Sequence, residues 1–328
     1  MFMPWFWLIP VGLRVVTAHI AVPIMLKHVT GMPSRLQKFA LQFGFAFIFA
    51  VTLWAIAWVV KQRGGFEDVP WFQEALDPAL PGILWYIALF GVVNAFAAYA
   101  QWRAVDISMS KNALFGQADD FLALLLGYTI LHEAEILTPY LAFGVILCMV
   151  AAPVFTVVSN KYGAKTSGPK VLGIKIPQLL LWVGMYTFVW GFAEVLMRGY
   201  ASTSVPLPGF MVAWYAGSLL GASLMFLMFR KKEKLQGISS KRFFGLKAVA
   251  TLGFLIFMSN ALAYSALWMA ELTKVIPIFQ GTEIVFPLLI GLYVFKERKG
   301  LHWQEGAVLA VGAIGVVIVV VASHWPLF

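Results

Sequence analysis

The chain has 328 residues, 61% hydrophobic and only 12% charged, with a formal net charge of +9 and a mean hydropathy of +0.84. Soluble domains carry about a quarter charged residues, so a soluble globular fold is excluded. No basic tract with interleaved aromatics lies outside an apolar run, so the positive charge reads as membrane topology and nucleic acid is not an expected partner.

In chain order, apolar stretches of about twenty residues, the length that crosses a bilayer, fall at about 4–27, 38–60, 82–104, 112–131, 137–158, 176–199, 207–230, 246–268, 272–295 and 304–323. The expected fold is therefore an all-α integral membrane protein with ten transmembrane helices. Continuous apolar runs exclude a porin-type barrel, whose strands alternate in period two. The first run, "MFMPWFWLIPVGLRVV", lacks a basic leading region and a small-residue cleavage site and reads as a retained span. The link 61–81, "KQRGGFEDVPWFQEALDPALP", places Trp71 and Phe72 beside acids and reads as a short piece lying at the interface.

Lysine and arginine partition between alternate links. Those after the first, third, fifth, seventh and ninth spans hold 19 of the 24, the other links hold four, and Arg14 lies inside the first span. The positive-inside rule puts the basic links in the cytoplasm and both termini outside. The link "RKKEKLQGISSKRF" (230–243) contributes most to that bias. Short termini and compact loops fit a bacterial inner membrane. Cys148, the single cysteine, excludes an internal disulfide and reads as a packing residue. The five histidines, His19, His28, His132, His302 and His324, form no ligand-spaced pair, so neither a structural metal nor a cofactor beyond a coupling proton is expected.

Two stretches nearly repeat each other. "NAFAAYAQWRA" (94–104) and "NALAYSALWMA" (260–270) share six residues, among them Asn94 with Asn260 and Trp102 with Trp268, at a constant offset of 166. Past the next link the offset becomes 164, and Phe115 matches Phe279, Asp119 matches Glu283, Leu125 matches Leu289, Gly127 matches Gly291 and Glu133 matches Glu297. A repeat of five helices must enter the membrane from opposite sides in its two copies. The chain then divides into a first five-helix repeat (1–160), a basic linker (161–175) and a second repeat (176–328). Such 5+5 inverted repeats are the architecture of secondary transporters, with the solute site near mid-membrane.

The ninth and tenth spans, "PLLIGLYVFKERKGLHWQEGAVLAVGAIGVVIVV" (287–320), carry Pro, Gly, an aromatic, Glu-Arg and a Gly-rich final helix. "LLLGYTILHEAEILTPYLAFGVIL" (124–147) repeats that pattern with Ala134 after Glu133, and "VWGF" (189–192) is an aromatic-glycine pair near the start of the second half. In these features the chain resembles the drug/metabolite transporter superfamily, in its EamA-like ten-helix branch. The resemblance implies a five-plus-five fold and alternating-access transport of a small solute. Members of that branch usually keep both termini inside, opposite to the charge count here.

Ionisable residues within spans are functional candidates, because an acid at the centre of a membrane helix costs about 2.5–3.5 kcal/mol. The deep acids are Asp119 and Asp120 in the fourth span, Glu194 in the sixth and Glu283 in the ninth. The deep base is Arg14, with Lys111, Arg198 and Lys274 nearer the span ends. Tyr186, Trp190, Glu194 and Arg198 recur every four residues and form one polar-aromatic stripe, suited to a cationic or zwitterionic group. Gln280 and Glu283 share a face, as do Gln117 and Asp120. Asn94 and Asn260 either line the solute path or bond neighbouring helices, and Trp268 joins the candidates. A plain alternative for the charged residues is helix-locking ion pairs.

A carboxylate desolvated at mid-membrane becomes easier to protonate and so can load and release a proton. Asp119 and Glu283 are the expected coupling pair. Asp120, whose counterpart is Ile284, is assigned to solute contact or to a base such as Arg14. The expected function is secondary active transport of a small polar metabolite, an amino acid, amine or similar solute, by proton-coupled alternating access. Rival readings are an organic-phosphate or nucleotide-sugar exchanger, a membrane-embedded lipid-modifying enzyme and a channel. The first would want convergent deep bases. The second would want a clustered catalytic motif, for which "HEAE" (132–135) is a faint candidate. Small-residue faces at "GSLLG" (217–221) and at Gly306 with Ala310 fit packing within one chain or between two, leaving monomer and homodimer open. Membrane lipid and the solute are the expected partners.

Overall fold

A computed structural model describes residues 6–30, 35–63, 80–116, 118–132, 138–162, 170–171, 174–175, 177–202, 205–229, 241–297 and 302–324. In lipid every backbone polar group must be satisfied within its own segment, and the helix does this. Helix α1 (Leu8–Arg14) continues through a π-helical stretch, Val15–Ala21, into α2 (Val22–Thr30). There follow α3 (Arg35–Gln62), α4 (Leu80–Ile107), α5 (Met109–Gly116), α6 (Ala118–Ile130) and α7 (Pro139–Tyr162). The second half holds α8 (Gln178–Ser202), α9 (Leu207–Phe229), α10 (Lys241–Met269), α11 (Leu272–Leu289), a π-helical stretch Ile290–Val294, and α12 (Trp303–His324). Between α7 and α8 the two-residue strands β1 (Lys170–Val171) and β2 (Ile174–Lys175) pair antiparallel. Most of the basic linker 161–175, of the link 61–81 and of the loop 230–243 lies outside the described residues.

Seven helices among the described residues are long and apolar enough to cross a membrane: Leu8–Val29, Arg35–Gln62, Gly82–Ile107, Gln178–Ala201, Leu207–Phe229, Gly245–Met269 and Lys274–Val294. Their outer faces are what a bilayer solvates. Trp85 is 77% exposed and Met228 71%, on helices with no polar face to offer water. This is an all-α integral membrane protein.

Both π-helical stretches have a proline beside them. Pro23 has no N–H for the carbonyl of His19, and Pro287 has none for that of Glu283. Within both stretches the ladder slips by one residue. The Val22 N–H reaches Thr17 and the Phe295 N–H reaches Ile290, in each case five residues back. Positive φ at non-glycine residues occurs, among the described residues, at His132 (55°) and Lys296 (58°), two positions separated by the offset of 164 that relates Glu133 to Glu297.

The chain folds as two compact units, each drawn from both sequence halves: Met1–Tyr99 with Leu196–Met269, and Ala100–Val195 with Ala270–Phe328. In the first unit α9 and α10 pack on α3, and α1 packs on α10. Glycines let α4 and α9 touch backbone to backbone. A Cβ on Gly217 would strike the carbonyl of Ala88, and one on Gly221 would sit 2.7 Å from the carbonyl of Val92. The "GSLLG" face is therefore a contact within one chain. In the second unit α12 runs along α7, and α11 packs against α5, α6 and α12.

Candidate functional site

The second unit gathers most of the sequence-predicted residues. Asp119 and Asp120 occupy the first turn of α6 and are 4% and 1% exposed. They do not act alike. Asp119 turns one carboxylate oxygen, Oδ1, back onto the chain, where it accepts the Asp120 N–H at 3.0 Å. The charges that act on Asp119 are those of Glu283 from α11 and, next, Glu194 from α8. Two other helices thus bring two carboxylates into electrostatic reach of the buried Asp119.

Helix α8 supplies the aromatic wall. Tyr186 is buried, within electrostatic reach of Asp119, Glu283 and Asp120, and donates its phenol hydrogen to the Asn112 side-chain oxygen at 2.8 Å. Trp190 lies one turn along, its ring centroid 5.0 Å from that of Tyr186. Close approach at the next position fixes the distance between α8 and α6. A Cβ at Gly191 would lie 2.8 Å from the carbonyl oxygen of Asp119 and 2.8 Å from Cβ of Leu122. No residue with a side-chain carbon fits there, so this glycine seats Asp119 against the wall.

Gln280, fully buried on α11 and one turn before Glu283, has neither side-chain amide atom bonded among the described residues. A buried unsatisfied amide costs about 1–3 kcal/mol. Gln117, the expected companion of Asp120, lies outside the described residues, as do Glu133 and Ala134.

Arg14, Asn94, Arg198, Asn260 and Trp268 belong to the first unit. Arg14 ends α1, at the start of the π-helical stretch, and acts electrostatically on buried His19. Asn94 donates to the Ser218 hydroxyl at 3.0 Å, which in turn donates to the Gly91 carbonyl at 3.1 Å. Its repeat partner Asn260 donates to the Tyr215 hydroxyl at 2.9 Å, which donates to the Ile256 carbonyl at 3.0 Å. Both asparagines therefore bond the same helix, α9, and of the two roles the sequence leaves open, the helix-bonding one is seen. Arg198, the last member of the stripe on α8, donates to the Leu267 carbonyl at 2.7 Å near the end of α10, beside half-buried Trp268. A cation there meets the negative end of the helix.

Of the two lysines near span ends, Lys274 makes an exposed local pair with Glu271 at 2.7 Å, while Lys111 pairs at 2.8 Å with Glu305, which is 1% exposed. Sequence reasoning missed Asn112, Ser108, Ser110 and Glu305 as partners. The polar run "SMSKN" (108–112) reads as a link, and only its place against Glu297 and Glu305 reveals its use. Glu297 accepts at 2.9 Å from the Met109 N–H, at 2.9 Å from the Ser110 N–H, and at 2.9 and 2.6 Å from the Ser108 and Ser110 hydroxyls. Burial pushes its carboxyl up, but the hydrogen bonds from Ser110, Met109 and Ser108 outweigh it and hold it below the usual glutamate range. Among the described residues no group of three or more His, Cys, Asp or Glu could hold a metal ion.

No family model matches the chain, and no curated protein does. Among solved structures, a crystal structure described only as that of a protein is similar over 97% of this chain and 97% of its own, with a TM-score of 0.58 at 13% identity. That likeness is one of fold.

Proposed function

We propose that the chain is a secondary transporter of the drug/metabolite type, moving a small polar solute by alternating access with protons as the coupling ion. The observation that carries this reading is the carboxylate cluster: Asp119, Glu283 and Glu194 come from three helices, and aromatic Tyr186 and Trp190 stand beside them in an apolar bundle. Carboxylates that share a low-dielectric site favour holding a proton between them. Admitting a cationic group to that site would favour its release. The two events exclude each other, which is what coupling requires. Aromatic faces and carboxylates together suit an amine or the amino end of a zwitterion.

The five-plus-five inverted repeat is part of the same reading. It is supported by the Asn94/Asn260 stretches, by the Asp119/Glu283 match, and by the positive φ at both His132 and Lys296. Helical residues fall on each of the ten apolar stretches. The basic links are assigned to the cytoplasm of a bacterial inner membrane and both termini to the outside, with the chain acting as a monomer or homodimer.

The experiment is uptake into proteoliposomes of a radiolabelled panel of amino acids, amines and organic phosphates, with and without an imposed proton gradient. Gradient-driven accumulation of an amine or amino acid is the expected result. Selective exchange of organic phosphates would replace this reading with the exchanger, and no uptake of any solute would end it. Labelling of cysteines engineered at 230–243, after replacement of Cys148, tests the orientation.

A further inference from the structure

We propose that Glu297 is a positioning residue for the coupling site: by clasping the amino end of α5 it sets where Asn112 holds Tyr186 beside Asp119. The inference rests on the coupling reading above and assigns a role to a residue some way along the chain from any of the acids.

The clasp uses both carboxylate oxygens. Oε1 accepts from the Met109 N–H, and Oε2 accepts from the Ser110 N–H and from the hydroxyls of Ser108 and Ser110. These backbone donors belong to the first turn of α5, where helical N–H groups lack partners within the helix. A carboxylate is the natural acceptor there, because the amino end of a helix is its positive end. Two further contacts hold the same turn. Gly291, in the π-helical stretch after α11, lies so close that a Cβ on it would be 2.7 Å from the Ser110 nitrogen. Lys111 reaches Glu305, whose other oxygen accepts the His302 N–H at 3.2 Å.

The middle and far end of α5 meet the phenol. Asn112 accepts its hydrogen, and Gly116 is close enough that a Cβ would sit 2.8 Å from the Tyr186 oxygen. Helix α5 has eight residues, about 12 Å of rigid rod. A shift at its clasped end is therefore delivered to Tyr186, and Tyr186 stands among Asp119, Glu283 and Asp120. Nothing in the sequence pairs Glu297 with this site. Its match to Glu133 reads as a mark of the repeat alone.

The test is a double-mutant cycle in proteoliposomes with E297Q, Y186F and E297Q/Y186F, using the panel solute that the wild-type protein takes up fastest. An amide offers one acceptor where the carboxylate offers two, so E297Q loosens the clasp without removing volume. The expected result for E297Q is a turnover lower by about tenfold with KM moved by less than about twofold, since a small misplacement of a working group lowers rate more than binding. The double variant should fall no further than the worse single one, because both changes act through α5. Should E297Q fail to fold, S108A/S110A keeps the carboxylate and both backbone donors; it should give a smaller loss that is also non-additive with Y186F. Losses that multiply, or a loss confined to thermal stability with turnover intact, overturn the clasp. The two readings fail separately: a D119N protein that still concentrates solute defeats coupling at the acids, whereas multiplying losses at Glu297 and Tyr186 defeat only the clasp. Absence of uptake in the wild-type protein defeats both.

Discussion

Helix α8 carries three glycines whose surroundings make opposite demands, and substituting each by alanine tests how the site is held. At Gly191 the added carbon meets the Asp119 carbonyl oxygen and Leu122 Cβ, both at 2.8 Å, against 3.4–4 Å for ordinary contact. Neither neighbour is the free end of a flexible side chain, so α6 must move by roughly 0.6 Å, on the scale where packing contacts change sharply. Overpacking of this kind costs about 1–3 kcal/mol. Removing a helical glycine returns up to about 1 kcal/mol, which leaves G191A less stable by about 1–2 kcal/mol. The displaced atoms include the backbone of Asp119 itself, and misplacement of a working group by about 1 Å lowers rates up to about a hundredfold, so uphill transport should fall about tenfold. At Gly184 and Gly199 an added carbon meets nothing within 4 Å. G184A and G199A should therefore match the wild-type protein or exceed its stability slightly, with transport unchanged. Thermal unfolding in detergent followed by tryptophan fluorescence, together with proteoliposome uptake, measures both effects. If G191A proves as stable and as active as G184A, the close seating of α6 on α8 is wrong.

Removing the Asn94 side chain should cost about 0.6 kcal/mol, the mean for a polar contact between membrane helices, and leave KM for the solute unchanged; a loss of solute binding at full stability would return Asn94 to the solute path. Replacing Gln280 by leucine should raise thermal stability by about 1–3 kcal/mol, because an unbonded buried amide is removed, while lowering uptake; a destabilised Q280L would mean the amide has protein partners. For Glu297, whose carboxyl is held below the usual glutamate range in the folded state, the sign is fixed by linkage: its stabilisation is full above the unfolded pKa and is lost as pH falls through the lower folded one. Thermal stability of the wild-type protein should drop on acidification below the usual glutamate range, and E297Q should flatten that drop; equal acid sensitivity in the two proteins would refute the hydrogen-bonded clasp.

Helix positions were legible in the sequence because the bilayer permits so few alternatives. Apolar runs such as 207–230 and 246–268 coincide with α9 and α10 to within a few residues. The region around Asp119 was legible only in part. The run 112–131 reads as one span beginning near Asn112, whereas helix α5 starts at Met109, so that "MSKN" (109–112) is helix and partner surface instead of link. Hydropathy cannot see this, since a polar stretch clasped by Glu297 and Glu305 has the same composition as one in water. Asp119 and Glu283 were found by repeat matching, and they are brought into electrostatic reach of each other. The matched asparagines were found by the same signal, and both bond α9: similarity between repeats marks equivalent places, and those places include packing as well as chemistry. Tyr186, Trp190 and Glu194 were legible as one stripe because four-residue spacing is a property of the helix alone. Arg198 continues the stripe in sequence but bonds the carbonyl of Leu267, a partner 69 residues away that no local pattern announces.

Proton coupling at Asp119 is decided by imposing a proton gradient on proteoliposomes containing wild-type or D119N protein and following solute accumulation together with equilibrium exchange. The wild-type protein should concentrate solute against its gradient, while D119N should exchange labelled for unlabelled solute but never exceed the external concentration. Accumulation by D119N at the wild-type level would contradict it.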